Sequence, residues 1–228
     1  MPGDSLHMKT VLYTAITGGY DSLNEVPFQR SRIDLVCFTD NPNARYGTTS
    51  WNIFQIPSEL RCLPNVKQQR LLKILPHKYL PGYDISVWID GNIKVMGDLS
   101  GFLKSLDFSQ GPFLTRRHPS RRCAYQEARV VLKLGKDRSS IITPQMEKYR
   151  KDGFPENFGL EETAVIARLD GNARCQLLCN TWAKEVLEHS HRDQLSLDWS
   201  RWKTGVDIGN LGFSLKSNPW FSLKRHLI

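Results

Sequence analysis

The residues best suited to bind a ligand lie where predicted strands end. Gly18-Gly19-Tyr20, Asp40 and Asp90-Gly91-Asn92 each follow a short apolar run. The two glycines allow backbone amides to approach a ligand closely, and Tyr20 offers a ring for stacking. Asp40 can accept hydrogen bonds from a ribose or a base. The oxygens of Asp90 and Asn92 suit a divalent cation that bridges phosphates. Each segment is also compatible with a plain turn.

Basic residues are concentrated near the same predicted strand ends. The chain has 31 Lys and Arg against 23 Asp and Glu, a formal charge of +8. Arg70 and Lys73 lie three residues apart on a predicted helix, so both can reach a diphosphate from one face. They belong to a cluster at residues 67–78, and His118 belongs to a second at residues 116–122. Such clusters favour a polyanionic ligand, and a solvated helix face is the alternative.

These residues need an α/β framework to position them. The pattern predicts strands at 10–17, 33–39, 51–56, 85–89, 113–117 and 163–169, and helices at 65–76, 125–134, 144–151, 175–188 and 193–202. This alternation favours a parallel sheet, whose ligands bind beyond the carboxyl ends of the strands. We expect a tail at 1–9 and one domain at 10–228, with a nucleotide-binding half at 10–95 and an acceptor-binding half at 96–228.

Composition and motifs exclude several classes of protein. The 40% of hydrophobic and 10% of aromatic residues are too high for a disordered chain. Neither the dinucleotide fingerprint nor a P-loop is present, which disfavours a dehydrogenase or a P-loop ATPase. The polar first residues lack a signal-peptide pattern, and no window approaches the ~20 apolar residues of a membrane span. The scattered cysteines are typical of reduced thiols, so we expect a cytoplasmic protein.

Six segments together resemble one family. They are YTAITGGYDSL (13–23), VCFTD (36–40), KILPHKYLPGYDISVWIDGNI (73–93), RRHPSRRCAYQEA (116–128), GFPENFGLEE (153–162) and HRDQLSL (191–197). They resemble the core of a glycosyltransferase-like family, long catalogued as a domain of unknown function, found in plant mucilage and pectin-related proteins and in bacterial polysaccharide clusters. That family is similar to nucleotide-sugar transferases of the GT-A fold. The resemblance implies a single GT-A-like (Rossmann-like) α/β domain, with a mostly parallel central sheet flanked by helices.

The resemblance also implies how a nucleotide-sugar donor is bound. The residues that would line the nucleoside are Thr14, Ala15 and Tyr20, and Asp40 would hold the uridine or ribose. Arg70 and Lys73 would lie near the base or diphosphate. Asp193 and Gln194 match the Asp-Gln helix of glycogenin-like transferases, in which the Asp contacts the transferred sugar.

A metal ion is the cofactor that the resemblance implies. Asp90 and Asn92 would occupy the Asp-x-Asp metal motif around Gly91, and His226 is the candidate for a late histidine ligand. Asn92 stands where the general pattern has a second Asp, and a neutral amide binds Mn²⁺ or Mg²⁺ more weakly than a carboxylate. We expect Mn²⁺ or Mg²⁺, with the clustered Arg and Lys neutralising part of the diphosphate charge.

Glycosyl transfer also needs groups that stabilise the leaving diphosphate and groups that handle the acceptor. Arg70, Lys73 and Lys78 are the candidates for the first role. An inverting enzyme needs a carboxylate base, whereas a retaining enzyme does not. The candidates for that base are Glu161, Glu162 and Asp193. Glu162 immediately precedes the predicted buried strand at 163–169, so its side chain would lie near a strand start and face the acceptor. His118 would bind donor or acceptor hydroxyls.

The expected function is therefore sugar transfer from a nucleotide-diphosphate donor to a glycan or glycoconjugate acceptor, in surface polysaccharide synthesis. Surplus charge near the tail suits a peripheral contact with the inner face of a membrane. One alternative is a ceramidase-like lipid amidase, which needs a metal-bound hydroxide or an activated nucleophile. The other is a non-enzymatic nucleic-acid-binding module, motivated by the +8 charge. No signature of a nucleic-acid-binding motif is present, so we expect no nucleic-acid partner.

Overall fold

The computed structural model describes residues 8–41 and 50–224. Its strands are β1 (Thr10–Ile16), β2 (Ile33–Thr39), β3 (Asn52–Gln55), β4 (Ile85–Ile89), β5 (Ile93–Val95), β6 (Phe113–Arg117), β7 (Glu161–Leu169), β8 (Ile208–Asn210) and β9 (Phe221–Leu223). Its helices are α1 (Asn65–Ile74), α2 (Pro76–Tyr79), α3 (Ser100–Lys104), α4 (Ala124–Lys133), α5 (Ser139–Lys151), α6 (Ala173–Glu188) and α7 (Gln194–Thr204). None of these helices combines the length and the apolar character that a membrane span requires.

Seven strands form one sheet in the order β3-β2-β1-β4-β7-β6-β8, and β5 pairs with β9 in a separate ribbon. Neighbouring strands of the large sheet are parallel, except that β7 is antiparallel to both β4 and β6. The expected α/β fold with a mostly parallel central sheet is confirmed. The sheet includes strands from both predicted halves of the chain.

The reversed direction of β7 brings its first residues to the edge of the sheet where β4 and β6 end. Ile89 is paired with Val165, and Arg117 is paired with Glu161. The backbone N–H of Asp90 extends the first pairing by donating to the carbonyl of Ala164 at 2.9 Å. The opening residues of β7 therefore lie beside the carboxyl end of β4.

The sheet is covered on both faces, which keeps its edge rigid. All seven residues of β1 are buried, and successive side chains point to opposite faces. Tyr13 packs in a cluster with Trp182 of α6, whereas Leu12 belongs to the cluster around Phe102 of α3. A third cluster joins α4, α5 and α7. Burial on both faces explains why β1 is a nearly continuous apolar run.

The sequence did not predict α2, α3, β5, β8 or β9. Among the predicted elements, the bound that differs most is the start of α5. The sequence predicted a helix from Pro144 to Lys151. The helix instead begins at Ser139 and contains Pro144, which is exposed. The added turn buries Ile142 in the third cluster, a gain that opposes the loss of one hydrogen bond at the proline. The other predicted elements end within two residues of their predicted bounds.

Candidate functional site

A cleft of about 780 Å³ lies at the edge where β1 and β4 end and β7 begins. Its walls come from the turn after β1, from α1, from the first residues of β7 and from the start of α7. Ten of the predicted site residues line it: Ala15, Tyr20, Arg70, Lys73, Asp90, Gly91, His118, Glu162, Asp193 and Gln194. The fold thus brings together residues that are up to 179 positions apart in sequence (15 to 194).

The centre of the cleft is a buried lysine between two carboxylates. Lys73 Nζ lies 3.1 Å from Asp90 Oδ1 and 2.8 Å from Asp193 Oδ2. It also donates to Thr163 Oγ1 at 3.0 Å. An ammonium group has three N–H donors, so all of those of Lys73 are used by these three partners. Lys73 therefore fixes the two carboxylates relative to each other, rather than offering a free N–H to a phosphate.

Asp193 is buried but kept ionised by its neighbours. Burial opposes its charge, but Lys73 and Arg70 outweigh that effect and hold its pKa well below the usual range. Arg70 Nε lies 3.6 Å from Asp193 Oδ1, and Thr163 Oγ1 donates to Oδ2 at 3.1 Å. The indole N–H of Trp182 also donates to the backbone carbonyl of Asp193 at 2.9 Å. A carboxylate stabilised this strongly is a poor proton acceptor, so Asp193 suits an electrostatic role.

Asp90 presents one oxygen to the protein and one to the cleft. Its Oδ1 accepts from Lys73 and, at 2.8 Å, from the indole N–H of Trp88. No described residue donates to Oδ2. A carboxylate oxygen without a donor is a fitting ligand for Mn²⁺ or Mg²⁺, so the residues present are compatible with the expected cofactor.

Asn92, the second expected metal ligand, does not line the cleft. The side-chain amide of Asn92 donates to the carbonyl of Lys224 at 3.2 Å, which ties the turn after β4 to the end of the described chain. His226 lies outside the described residues.

Glu162 is the predicted base that faces the cleft. Arg116 Nη1 lies 2.6 Å from its Oε2, and Arg116 Nε donates to the carbonyl of Phe213 at 2.8 Å. Burial raises the pKa of Glu162, the charge of Arg116 opposes that rise, and the charge of Asp90 adds to it. A half-buried carboxylate with a raised pKa is better suited to proton transfer at neutral pH than Asp193 is.

Glu161 points to the other face of the sheet, because side chains alternate along a strand. It is buried against α7, where Arg201 Nη1 lies 3.5 Å from its Oε1. Its backbone N–H donates to Asp198 Oδ2 at 2.9 Å. Burial and the charge of Asp198 raise the pKa of Glu161 to about 7. The strand alternation thus places two adjacent glutamates on opposite faces of the sheet.

Three further predicted donor residues lie outside the cleft lining. Thr14 is buried beside a cavity of about 10 Å³ that Asp90 also lines. Asp40 Oδ2 accepts from the backbone N–H of Gly18 at 2.7 Å, so it shapes the turn after β1. Lys78 is exposed, with its Nζ 5.5 Å from the ring centre of Tyr79.

The sequence did not single out three residues of this region. Thr163 lay inside a predicted buried strand, and its polar side chain in an apolar run was the available signal. Nothing in the sequence indicated that the indole of Trp88 contacts Asp90. Lys136 follows Gly135 just after α4 and lines the cleft, although it lies in neither predicted basic cluster.

Comparisons with known proteins give the family and a similar fold. The family model for the TOD1/MUCI70 glycosyltransferase-like domain matches residues 7–212. The solved structure of the WbbM bifunctional glycosyltransferase is similar in fold, with a TM-score of 0.54 at 10% sequence identity. The match covers 91% of this chain and 39% of that one, so this chain spans about two fifths of the bifunctional protein. No curated protein sequence matches the chain. The family match covers most of the sequence, and the chain belongs to the TOD1/MUCI70 glycosyltransferase-like domain family.

Proposed function

We propose that this domain transfers a sugar from a nucleotide-diphosphate donor to a glycan or glycoconjugate acceptor, as a GT-A type enzyme in surface polysaccharide synthesis. The observation that carries the proposal is the Lys73 centre of the cleft, which holds Asp90 and Asp193 in fixed positions at the carboxyl ends of the strands. Ligands of open α/β sheets bind at this edge. The membrane contact and cytoplasmic location expected from the sequence are part of the same proposal.

The donor would lie across the cleft from β1 towards β7. Ala15 and the half-exposed ring of Tyr20 line the β1 end, where a nucleoside can stack. Arg70 is the cation that faces the diphosphate, because its Nη2 has no described partner whereas the donors of Lys73 are all used. The N–H groups of Nη2 can donate charge-assisted hydrogen bonds to phosphate oxygens.

Mn²⁺ or Mg²⁺ would be held by Asp90 Oδ2, with Asn92 and His226 as the further proposed ligands. Bound there, it would supply positive charge to the leaving diphosphate. The lower charge of the Asp-x-Asn motif leaves part of that task to Arg70.

In an inverting reaction the acceptor oxygen bonds to the anomeric carbon as the bond to the diphosphate oxygen breaks, and the electron pair of that bond leaves on the phosphate. Glu162 would accept the proton of the acceptor hydroxyl, since it is the predicted base that faces the cleft. The fixed charge of Asp193 would stabilise the positive charge that develops on the sugar ring.

The alternative function of a lipid amidase is not favoured by the site. A metal-hydroxide amidase needs a cluster of His, Cys or carboxylate ligands around the reacting centre. Among the described residues, the one such group within 4.8 Å is Glu185, Glu188 and His189 at the end of α6, which does not line the cleft.

The test is titration calorimetry with UDP-, GDP- and CDP-linked sugars, with and without Mn²⁺, followed by an assay for release of the nucleoside diphosphate. We expect one donor class to bind, and Asp90→Asn to lower turnover by about 10²-fold, since it removes charge from the diphosphate site. The matched control is Asp84→Asn, an exposed carboxylate next to the opposite end of β4. Absence of binding by all three classes would refute the proposal. Wild-type turnover in Asp90→Asn would remove Asp90 from the site.

A further inference from the structure

One side of α4 is strongly cationic. The helix buries Ala124, Tyr125, Glu127, Ala128 and Val131, so the residues between them face solvent. Arg129 and Lys133 are exposed and one turn apart, and the exposed Arg122 and Lys136 flank the helix at its two ends. We call these four residues the α4 cationic face. None of them forms an ion pair with a described residue.

The charge of this face is not balanced by neighbouring acids. Between residues 122 and 136 the single acidic residue is Glu127, which is buried and paired with Arg121. Exposed helix faces with a structural role alone usually mix both signs of charge, because like charges repel. A face of four unpaired cations therefore indicates an anionic ligand.

The α4 cationic face is continuous with the cleft. Lys136 belongs both to this face and to the cleft lining. The next residue, Asp137, accepts from Ser190 Oγ at 2.5 Å and lies 3.2 Å from His191 Nδ1. These contacts fasten the loop after α4 to the loop before α7. The cations of Lys136 and Arg192 thus both line the cleft, on either side of this connection.

The strand order identifies this as the acceptor end. The nucleoside end of the cleft lies at β1, and the sheet continues through β4 and β7 to β6, which leads into α4. Because Lys136 follows α4, we assign it to the acceptor end of the cleft, opposite the proposed nucleoside end. An acceptor that enters beside Glu162 would leave the cleft over Lys136 and along α4.

We propose that the acceptor is an anionic glycan chain, and that the α4 cationic face binds the part of it that extends outside the cleft. This inference rests on the proposed transferase function, because it names the acceptor of that reaction. The face is about 15 Å long over the ten residues of α4, enough for more than one sugar unit.

Two other polyanions fit this face less well. Nucleic-acid surfaces that bind single strands combine cations with exposed aromatic rings, and the one aromatic residue of α4, Tyr125, is buried. A membrane surface would be met by several exposed apolar side chains beside the cations, whereas Leu134 is the large exposed one in this segment.

The test measures binding of an alginate hexasaccharide, whose sugars carry carboxylates, and of neutral maltohexaose. We expect the alginate oligomer to bind at about 50 mM salt, to weaken as salt screens the charges, and to lose about tenfold in affinity in the double variant Arg129→Glu/Lys133→Glu. Maltohexaose should bind less tightly than alginate. The matched control is Lys104→Glu/Lys216→Glu, which reverses two exposed lysines elsewhere.

Several outcomes would overturn the inference. One is that the double variant binds alginate as tightly as the wild type, or that the control variant loses as much affinity as the double variant. Another is that a DNA oligomer of the same charge binds more tightly than alginate. A third is that the protein binds anionic vesicles but not alginate. The double variant should keep wild-type affinity for the nucleotide sugar. If the protein binds alginate but no nucleotide sugar, the anionic-ligand site on α4 is supported and the transferase function is rejected. Failure of this inference and failure of the proposed function are therefore distinguishable.

Discussion

The three N–H groups of Lys73 are all occupied within the protein, and this changes its role. From its spacing to Arg70, we expected both side chains to reach a diphosphate. The structure keeps Arg70 at the cleft surface and buries Lys73 between Asp90 and Asp193. Helical spacing determines which residues share a face, but the partner that a side chain finds depends on strands that are distant in sequence.

The three candidate bases are likewise separated by their surroundings. Asp193 is held ionised by Lys73, Glu161 is buried against α7, and Glu162 faces the cleft beside Arg116. The sequence identified all three carboxylates and placed Glu162 facing the acceptor, but it could not give their pKa values, because burial and neighbouring charge set them.

Glu162→Gln should lower kcat by about 10²- to 10⁴-fold while leaving donor affinity near wild type, because it removes the proton acceptor alone. Since the base must be deprotonated and its pKa is raised, wild-type activity should fall as the pH drops through a value above that of an ordinary glutamate. A pH–rate profile tests this. Glu161→Gln is the matched control, and its activity should still fall at acidic pH as that of the wild type does. If the fall in activity at acidic pH disappears in Glu161→Gln but remains in Glu162→Gln, Glu162 is not the base.

Among the elements, β7 decides the composition of the site. Its antiparallel direction places its first residues beside the ends of β4 and β6, where a parallel strand would present its last residues instead. Its sequence predicted a buried strand from residue 163 but gave no direction for it. Direction follows from the path of the preceding helices, α4 and α5, and therefore from tertiary packing.

The junction before β6 depends on a glycine at a close contact. Gly111 has φ +145°, and a Cβ there would lie 2.4 Å from the carbonyl oxygen of Asp207, which precedes β8. Gly111→Ala should lower the free energy of unfolding by about 2–3 kcal/mol, through backbone strain and this clash. Urea denaturation measures the change, with Gly171→Ala as a control because no atom crowds that position. Equal stability of the two variants would show that the junction shifts at little cost.

At the scale of the whole molecule, the basic residues that give the chain its positive charge make different kinds of contact. Within the cluster at 67–78, Lys67 donates to the carbonyl of Leu187 at 2.7 Å, whereas Arg70 and Lys73 enter the cleft. Within the cluster at 116–122, Arg121 pairs with Glu127. Basic residues that are close in sequence therefore have different contacts in the structure. The α4 cationic face includes Arg122 from the cluster at 116–122, and its other three residues belong to neither cluster.

Buried carboxyls also set how stability varies with pH. Burial raises the pKa of Glu161 to about 7, of Asp170 to about 7 and of Asp198 to about 6. Between their unfolded values near 4 and these folded values, the folded state binds more protons than the unfolded state, so stability falls as the pH rises. Asp193 has the opposite sign, but its contribution is lost only at lower pH, as the pH falls towards its depressed folded pKa.

We therefore expect the melting temperature of Glu161→Gln, relative to that of the wild type, to increase from about pH 5 to about pH 7.5. The physical reason is that the variant removes one buried group that must ionise over this range. Thermal melts of both proteins in a pH series measure this difference. A difference between the two melting temperatures that stays constant or decreases across this range would contradict this account.

The sequence by itself determined the α/β class, most element bounds and the family, because periodic burial and a long motif such as KYLPGYDISVWIDGN are local properties. It also identified ten of the residues that line the cleft. Only the tertiary structure decided that Lys73 joins Asp90 to Asp193, that Glu162 and not Glu161 faces the cleft, and that Lys136 links the cleft to α4. These facts depend on strand direction and on contacts between distant segments, and such contacts form only when the sheet and its helices are packed together.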